Sequence, residues 1–173
     1  GVGMKRIRKN NSGYSLVELV VVIGIVSVMM VGVVFGLSVL NNKEIDECSK
    51  KIKIALEGNR VTTMGKYEAE IAFYLDSKNC LMVEETFDNT TKVTRIGGES
   101  LKIKYECNGN QNMIPSAPNK LTIRFDRSSG ALKTQTDGGD DVGYYVTKFI
   151  VGVDSSNPAE VTIEHLTGRV SIN

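Results

Sequence analysis

Residues 19–40 carry no charged side chain, and no other feature of the chain restricts its folding as strongly. A helix of about 20 apolar residues matches the hydrocarbon thickness of a bilayer. The run is therefore long enough for one crossing. Lys5, Arg6, Arg8 and Lys9 stand before it with no acid among them. The positive-inside rule then predicts a cytoplasmic amino end, with everything after Leu40 facing outward.

Beyond the run the apolar spacing stays helical. Ile45, Cys48, Ile52, Leu56 and Met64 recur at intervals near 3.6, and Lys43, Glu44, Glu47, Lys50, Lys51 and Lys53 occupy the intervening surface. With no proline before Pro115, one helix of roughly 50 residues is expected from Tyr14, about 75 Å long. Gly58 and Gly65 weaken its last turns. After Lys66 the period becomes two. Leu101, Ile103, Tyr105 and Cys107 alternate with Lys102, Lys104 and Glu106, and Leu121, Ile123 and Phe125 alternate with Thr122 and Arg124. Further strands are predicted at 70–75, 80–84, 145–153, 161–166 and 169–172, with turn chemistry at 126–130, 137–143, 154–158 and 167–168. The connections are too short for crossover helices, so antiparallel pairing is expected. The apolar helix stripe is the expected cover for the sheet. This predicts an α+β chain in four segments: a basic leader at 1–13, a transmembrane helix at 14–40, its amphipathic continuation at 41–66, and a small antiparallel β-sheet head at 67–173.

The order of residues at the amino end carries the functional signal. Basic residues 5–9 lead through Asn10, Asn11 and Ser12 to Gly13, then Tyr14-Ser15-Leu16-Val17-Glu18 and the apolar run. An ordinary secretory signal places its small cleavage residues after the apolar core. Here the glycine lies on the basic side, so a cut between Gly13 and Tyr14 leaves the apolar segment on the mature protein. Glu18 is the one charge in an apolar stretch and needs a partner. Cleavage creates an α-amine on Tyr14, with a pKa near about 8. Opposite charges about 4 Å apart attract by roughly 4 kcal/mol at an effective dielectric near 20, before desolvation is subtracted. Within one helix the geometry is constrained. Between neighbouring subunits, the amine of one can meet Glu18 of another, a pairing that would set the axial register.

This segment resembles the class III signal of type IV pilins and type II secretion pseudopilins. The resemblance implies a pilin-like fold and cytoplasmic-side cleavage after Gly13 by a prepilin peptidase. It also implies N-methylation of Tyr14, a role for Glu18 in processing or register, and extraction of the subunit from the membrane into a helical filament. The partners implied are sister pilins or pseudopilins and an inner-membrane assembly platform driven by a separate ATPase. Many major pilins have a proline inside the apolar segment, which this chain lacks. Residues 121–130 and 161–170 are similar to the closing strands of H-type minor pseudopilins and related minor pilins, which points to a minor subunit. The implied location is the inner membrane, single-pass, followed by an extracellular or periplasmic filament. Removing the four leader bases from 21 leaves 17 against 20 acids, a formal charge of −3 on the mature form.

Other residues bear on competing functions. Gly32 and Gly36 form a small-xxx-small pair that lets helices approach closely. Cys48, Cys80 and Cys107 have no CxxC spacing and no cluster with histidine, which argues against zinc. An outward-facing domain meets oxidising conditions, and Cys80 with Cys107 is the favoured disulfide pair, buried thiols being the alternative. No catalytic motif accompanies His165, the single histidine, which is expected on the packed face or at a sheet end. Asp137, Asp140 and Asp141 do not follow an EF-hand spacing and read as a solvated turn rather than a calcium site. The chain is expected to be neither an enzyme nor a cofactor carrier. Lys102, Lys104, Arg124, Lys133 and Lys148 leave open a DNA-binding minor pilin of an uptake filament, and a signal-anchored extracytoplasmic enzyme is the more distant alternative.

Overall fold

The computed structural model describes residues 15–65, 67–134, 136–137, 140–141, 143–153 and 157–173, with the side chains of 32–38, 136–137 and 140–141 outside that description. The chain divides into two compact units, Gly1–Ser38 and Val39–Asn173. The helix residues after Ser38 fall in the second unit.

Helix α1 spans Leu16–Met64, 49 residues. Ser15 starts it: its Oγ accepts the Glu18 N–H at 3.2 Å, and its carbonyl accepts the Leu19 N–H at 3.1 Å. Ser15 and Glu18 have the S-x-x-E spacing of a capping box, and an acid in the first turn complements the positive end of the helix dipole. At the other end, the Gly65 N–H closes onto the carbonyls of Val61 and Thr62. Within the head unit, α1 buries Ile45, Cys48, Ser49, Ile52, Leu56, Asn59 and Thr63. Met64, expected on this stripe, is 42% exposed, because the 3–4 residue steps from Leu56 arrive at Asn59 and Thr63. The buried hydroxyls of Ser49 and Thr63 donate to the carbonyls four residues earlier, at 2.8 and 2.9 Å, so neither leaves an unmet donor in the core. Lys50 and Asp46 pair across one turn of the exposed side at 2.6 Å.

Eleven strands follow among the described residues: β1 Ala69–Leu75, β2 Leu81–Phe87, β3 Thr90–Arg95, β4 Lys102–Cys107, β5 Asn110–Met113, β6 Leu121–Ile123, β7 Thr136–Asp137, β8 Asp140–Asp141, β9 Val146–Gly152, β10 Ala159–Ile163 and β11 Val170–Ile172. They form two main sheets where one was expected. The first has the order β3-β2-β1-β6 and the second β11-β10-β9-β4-β5, while β7 and β8 make a separate pair. Every paired strand is antiparallel, as the short connections require.

Two hairpins went unpredicted. Asp88 and Asn89 join β2 to β3 with φ of 43° and 60°, and Asn108 and Gly109 join β4 to β5 with φ of 53° and 74°. Both are two-residue turns with positive φ at each position, the geometry whose twist matches paired strands. The strands they open, TTKVTR and NQNM, are exposed throughout and lack the apolar alternation that marks a half-buried strand.

The α+β arrangement is pilin-like in kind, with helix residues packed on antiparallel sheets in one core. Ile45, Ile52 and Leu56 of α1 join Ile71, Phe73, Leu81, Val83 and Ile123 of the first sheet and Ile103, Phe149, Val151, Val161 and Ile163 of the second. Phe73 and Phe149 link the sheets, with ring centroids 4.9 Å apart. Buried side chains of this size are each worth roughly 1.5–3 kcal/mol relative to exposure.

Candidate functional site

The residues expected to serve processing and assembly all fall in the amino-terminal unit. Gly13 and Tyr14 lie outside the described residues. Glu18 sits in the first turn of α1, behind the Ser15 cap. From Ser15 to Val31 every residue is exposed, Leu16 at 79% and Val28 at 74% among them. Besides the capping Ser15, the stretch has one hydroxyl, on Ser27, which donates to the Ile23 carbonyl at 2.7 Å and is satisfied without water. Gly32 and Gly36 both fall within α1, one turn apart, and the packing role expected of them lies outside the described side chains. Among the described residues no helix is long and apolar enough to cross a membrane, and side-chain description stops at Val31 and resumes at Val39, inside the run expected to span.

In the head, the expected Cys80–Cys107 disulfide does not form. All three cysteines are free thiols. Cys80 is buried at the entry to β2 in the first sheet, its N–H donated to Asp76 Oδ1 at 2.8 Å, whereas Cys107 ends β4 in the second sheet, where it pairs with Asn110 and Val146. The backbone thus commits the two residues to different sheets. Burial pushes the Cys48 thiol up to about 12. His165 is exposed in the turn after β10, not on a packed face; its ring lies 5.2 Å from that of Tyr145, and its carbonyl accepts the Leu132 N–H at 2.9 Å. Asp137 pairs with Asp140 across β7 and β8. Among the described residues, no group of three or more histidine, cysteine or acidic side chains is arranged to hold a metal ion.

The five basic residues considered for DNA separate into two places. Lys102, Lys104 and Lys148 belong to β4 and β9, and Lys148 pairs with Glu160 at 3.0 Å. The bond to Glu160 raises the Lys148 pKa. Arg124 and Lys133 line another cleft with Glu68 and Glu70, and Arg124 pairs with Glu70 at 2.7 Å.

The two carboxyl-terminal segments singled out in sequence meet at the end of α1. Gly130, with φ of 69°, and Gly168, with φ of 65°, come so close that a Cβ on Gly168 would collide with the Gly130 carbonyl oxygen. Arg60 reaches from α1 to that carbonyl, its Nε donating at 3.2 Å. Asp126 organises the first turn: its Oδ1 accepts from the N–H and hydroxyl groups of both Ser128 and Ser129. Those bonds, the Ser128 hydroxyl foremost, hold the Asp126 carboxyl well below the usual carboxylate range. Sequence reading missed Arg60, because nothing local marks an arginine whose carbonyl partner lies 70 residues further along the chain.

Residues 8–34 match the family model described as the prokaryotic N-terminal methylation motif. The chain carries a prepilin-type signal. The matched residues include Gly13, Tyr14 and Glu18, and this motif is the signal of type IV pilins and pseudopilins. It marks a pilin-like precursor and implies processing by a prepilin peptidase and assembly with other pilin subunits. No curated protein and no solved structure matches the chain.

Proposed function

We propose that this protein is a minor subunit of a type IV pilus or a type II secretion-like filament. A prepilin peptidase cuts between Gly13 and Tyr14, Tyr14 is N-methylated, and residues 19–40 hold the subunit in the inner membrane, amino end inside and head outside, until an assembly platform moves it into the filament. The new amine of one subunit meets Glu18 of another and sets the register. The protein acts by assembly and not by catalysis.

One observation carries this reading: a methylation motif leads into a helix whose every residue from Ser15 to Val31 is exposed. Apolar surface of that extent is unfavourable in water and calls for lipid before assembly and for neighbouring helices after it. The minor role is supported more modestly, by the likeness of 121–130 and 161–170 to the closing strands of minor pseudopilins.

The test expresses the chain with and without a prepilin peptidase and reads its mass and its presence in sheared filaments. Loss of the leader through Gly13 in the peptidase strain alone is expected, and Gly13→Leu should abolish it. Glu18→Ala should remain cleaved yet enter filaments at least tenfold less. Normal filament entry by the uncleaved Gly13→Leu chain would sink the proposal.

A further inference from the structure

A cleft of about 420 Å³ opens in the head unit between α1 and the β2–β3 hairpin. Gly58, Asn59 and Thr62 form its helix side, and Phe87, Thr90 and Lys92 its hairpin side. Three features of it have no use inside the chain. Asn59 is 5% exposed, yet its Oδ1 is buried with no hydrogen-bond donor. Buried acceptors are nearly always paired, so this one is an unmet group in the wall of the cleft. Gly58 lies within a helix, near its carboxyl end, where glycine is unfavourable, but a Cβ there would meet nothing within 4 Å. The fold has no packing reason for it, whereas a close-approaching chain does. Finally, β3 is the edge of its sheet, hydrogen-bonded to β2 alone, exposed at all six residues and free of proline. Its outer main-chain groups offer a template for an added strand.

We propose that this cleft and the β3 edge together receive an extended segment of a neighbouring pilin-like subunit. The segment pairs its main chain with β3 and turns alternate side chains toward α1. Phe87 and Ala69 give the cleft an apolar contribution, and the opposed charges of Glu85 and Lys92 are cross-strand neighbours. The best-fitting segment is therefore uncharged, with small apolar residues. Gly58 leaves room for that approach. This inference names a partner contact for the assembly role proposed above and rests on it.

The test places photoreactive p-benzoylphenylalanine at Thr90, and separately at Lys104 in the other sheet, in the full chain in cells that build the filament. After irradiation, sheared filaments are probed for the chain and its adducts. The expected result is a Thr90 adduct, mapped by mass spectrometry to a strand or loop of a subunit bearing the methylation motif, with no such adduct from Lys104. Gly58→Gln should cut the Thr90 adduct at least tenfold while leaving the melting temperature equal or higher, which a purely structural role for Gly58 would not produce. A chain that enters filaments normally yet gives no Thr90 adduct overturns the inference and leaves the assembly role standing. So does an adduct only to a non-subunit molecule, or a Gly58→Gln chain with an undiminished adduct. A chain that never enters filaments overturns the assembly role, and this contact with it.

Discussion

At the scale of single residues, the glycines divide by what surrounds them. Gly168 has positive φ and faces the Gly130 carbonyl, so Gly168→Ala combines backbone strain with a collision and is expected to cost about 3 kcal/mol, read as a lowered urea midpoint. Gly58 has neither constraint, and Gly58→Ala should stabilise by roughly 0.5–1 kcal/mol through the unfolded chain and helix propensity. The two substitutions thus have opposite signs, although sequence alone presents two similar glycines. Asp126 supplies a pH dependence. Its folded-state pKa is depressed, so its stabilising bonds are at full strength above about pH 4, the usual carboxylate value, and are lost as pH falls toward the folded-state value. Asp126→Ala should therefore unfold at lower urea than the parent chain at pH 7, and the difference should narrow at pH 3. A difference independent of pH would contradict the hydrogen bonding at this turn.

At the scale of elements, legibility followed burial. Helix α1 and strands β1, β2, β4, β9, β10 and β11 stand near their expected places because each turns an apolar row to the core, which fixes a period in the sequence. Strands β3 and β5 have no apolar row; their existence depends on a turn and on the strand beside them. Asn108-Gly109 was a readable signal, since that dipeptide favours the required turn, but polar flanks concealed it. Asp88-Asn89 is a weaker form of the same signal. Asn89 at φ of 60° yields a prediction: Asn89→Gly should leave stability unchanged or raise it, while Asn89→Val should lower it by about 1–2 kcal/mol, measured by thermal unfolding. Equal effects from the two would argue against this turn. The Ser15–Glu18 cap is equally present in the sequence as an S-x-x-E spacing.

For the molecule as a whole, the head is one core built from a helix and two sheets, and its thiols report on that packing. Cys48 and Cys80 are each 1% exposed, while Cys107 is only partly buried. Alkylation of the native chain at pH 8 is expected to modify Cys107 first, with Cys48 and Cys80 reacting only on unfolding; a mass two hydrogens lower before reduction would instead indicate a disulfide. Removing the contact between the sheets should be felt globally, and Phe73→Ala is expected to cost about 3–5 kcal/mol in a urea titration. The basic residues, Gly13, Glu18 and the apolar run that make up the methylation motif were readable without coordinates, because the motif depends on charge and spacing over a few dozen contiguous residues. The helical stripe was nearly so, for the same reason. Two sheets in place of one, free thiols in place of a bridge, the meeting of Gly130 and Gly168 under Arg60, and the cleft above Asn59 were not readable. Each arises where residues far apart in the chain compete for the same space, and only close packing resolves that competition.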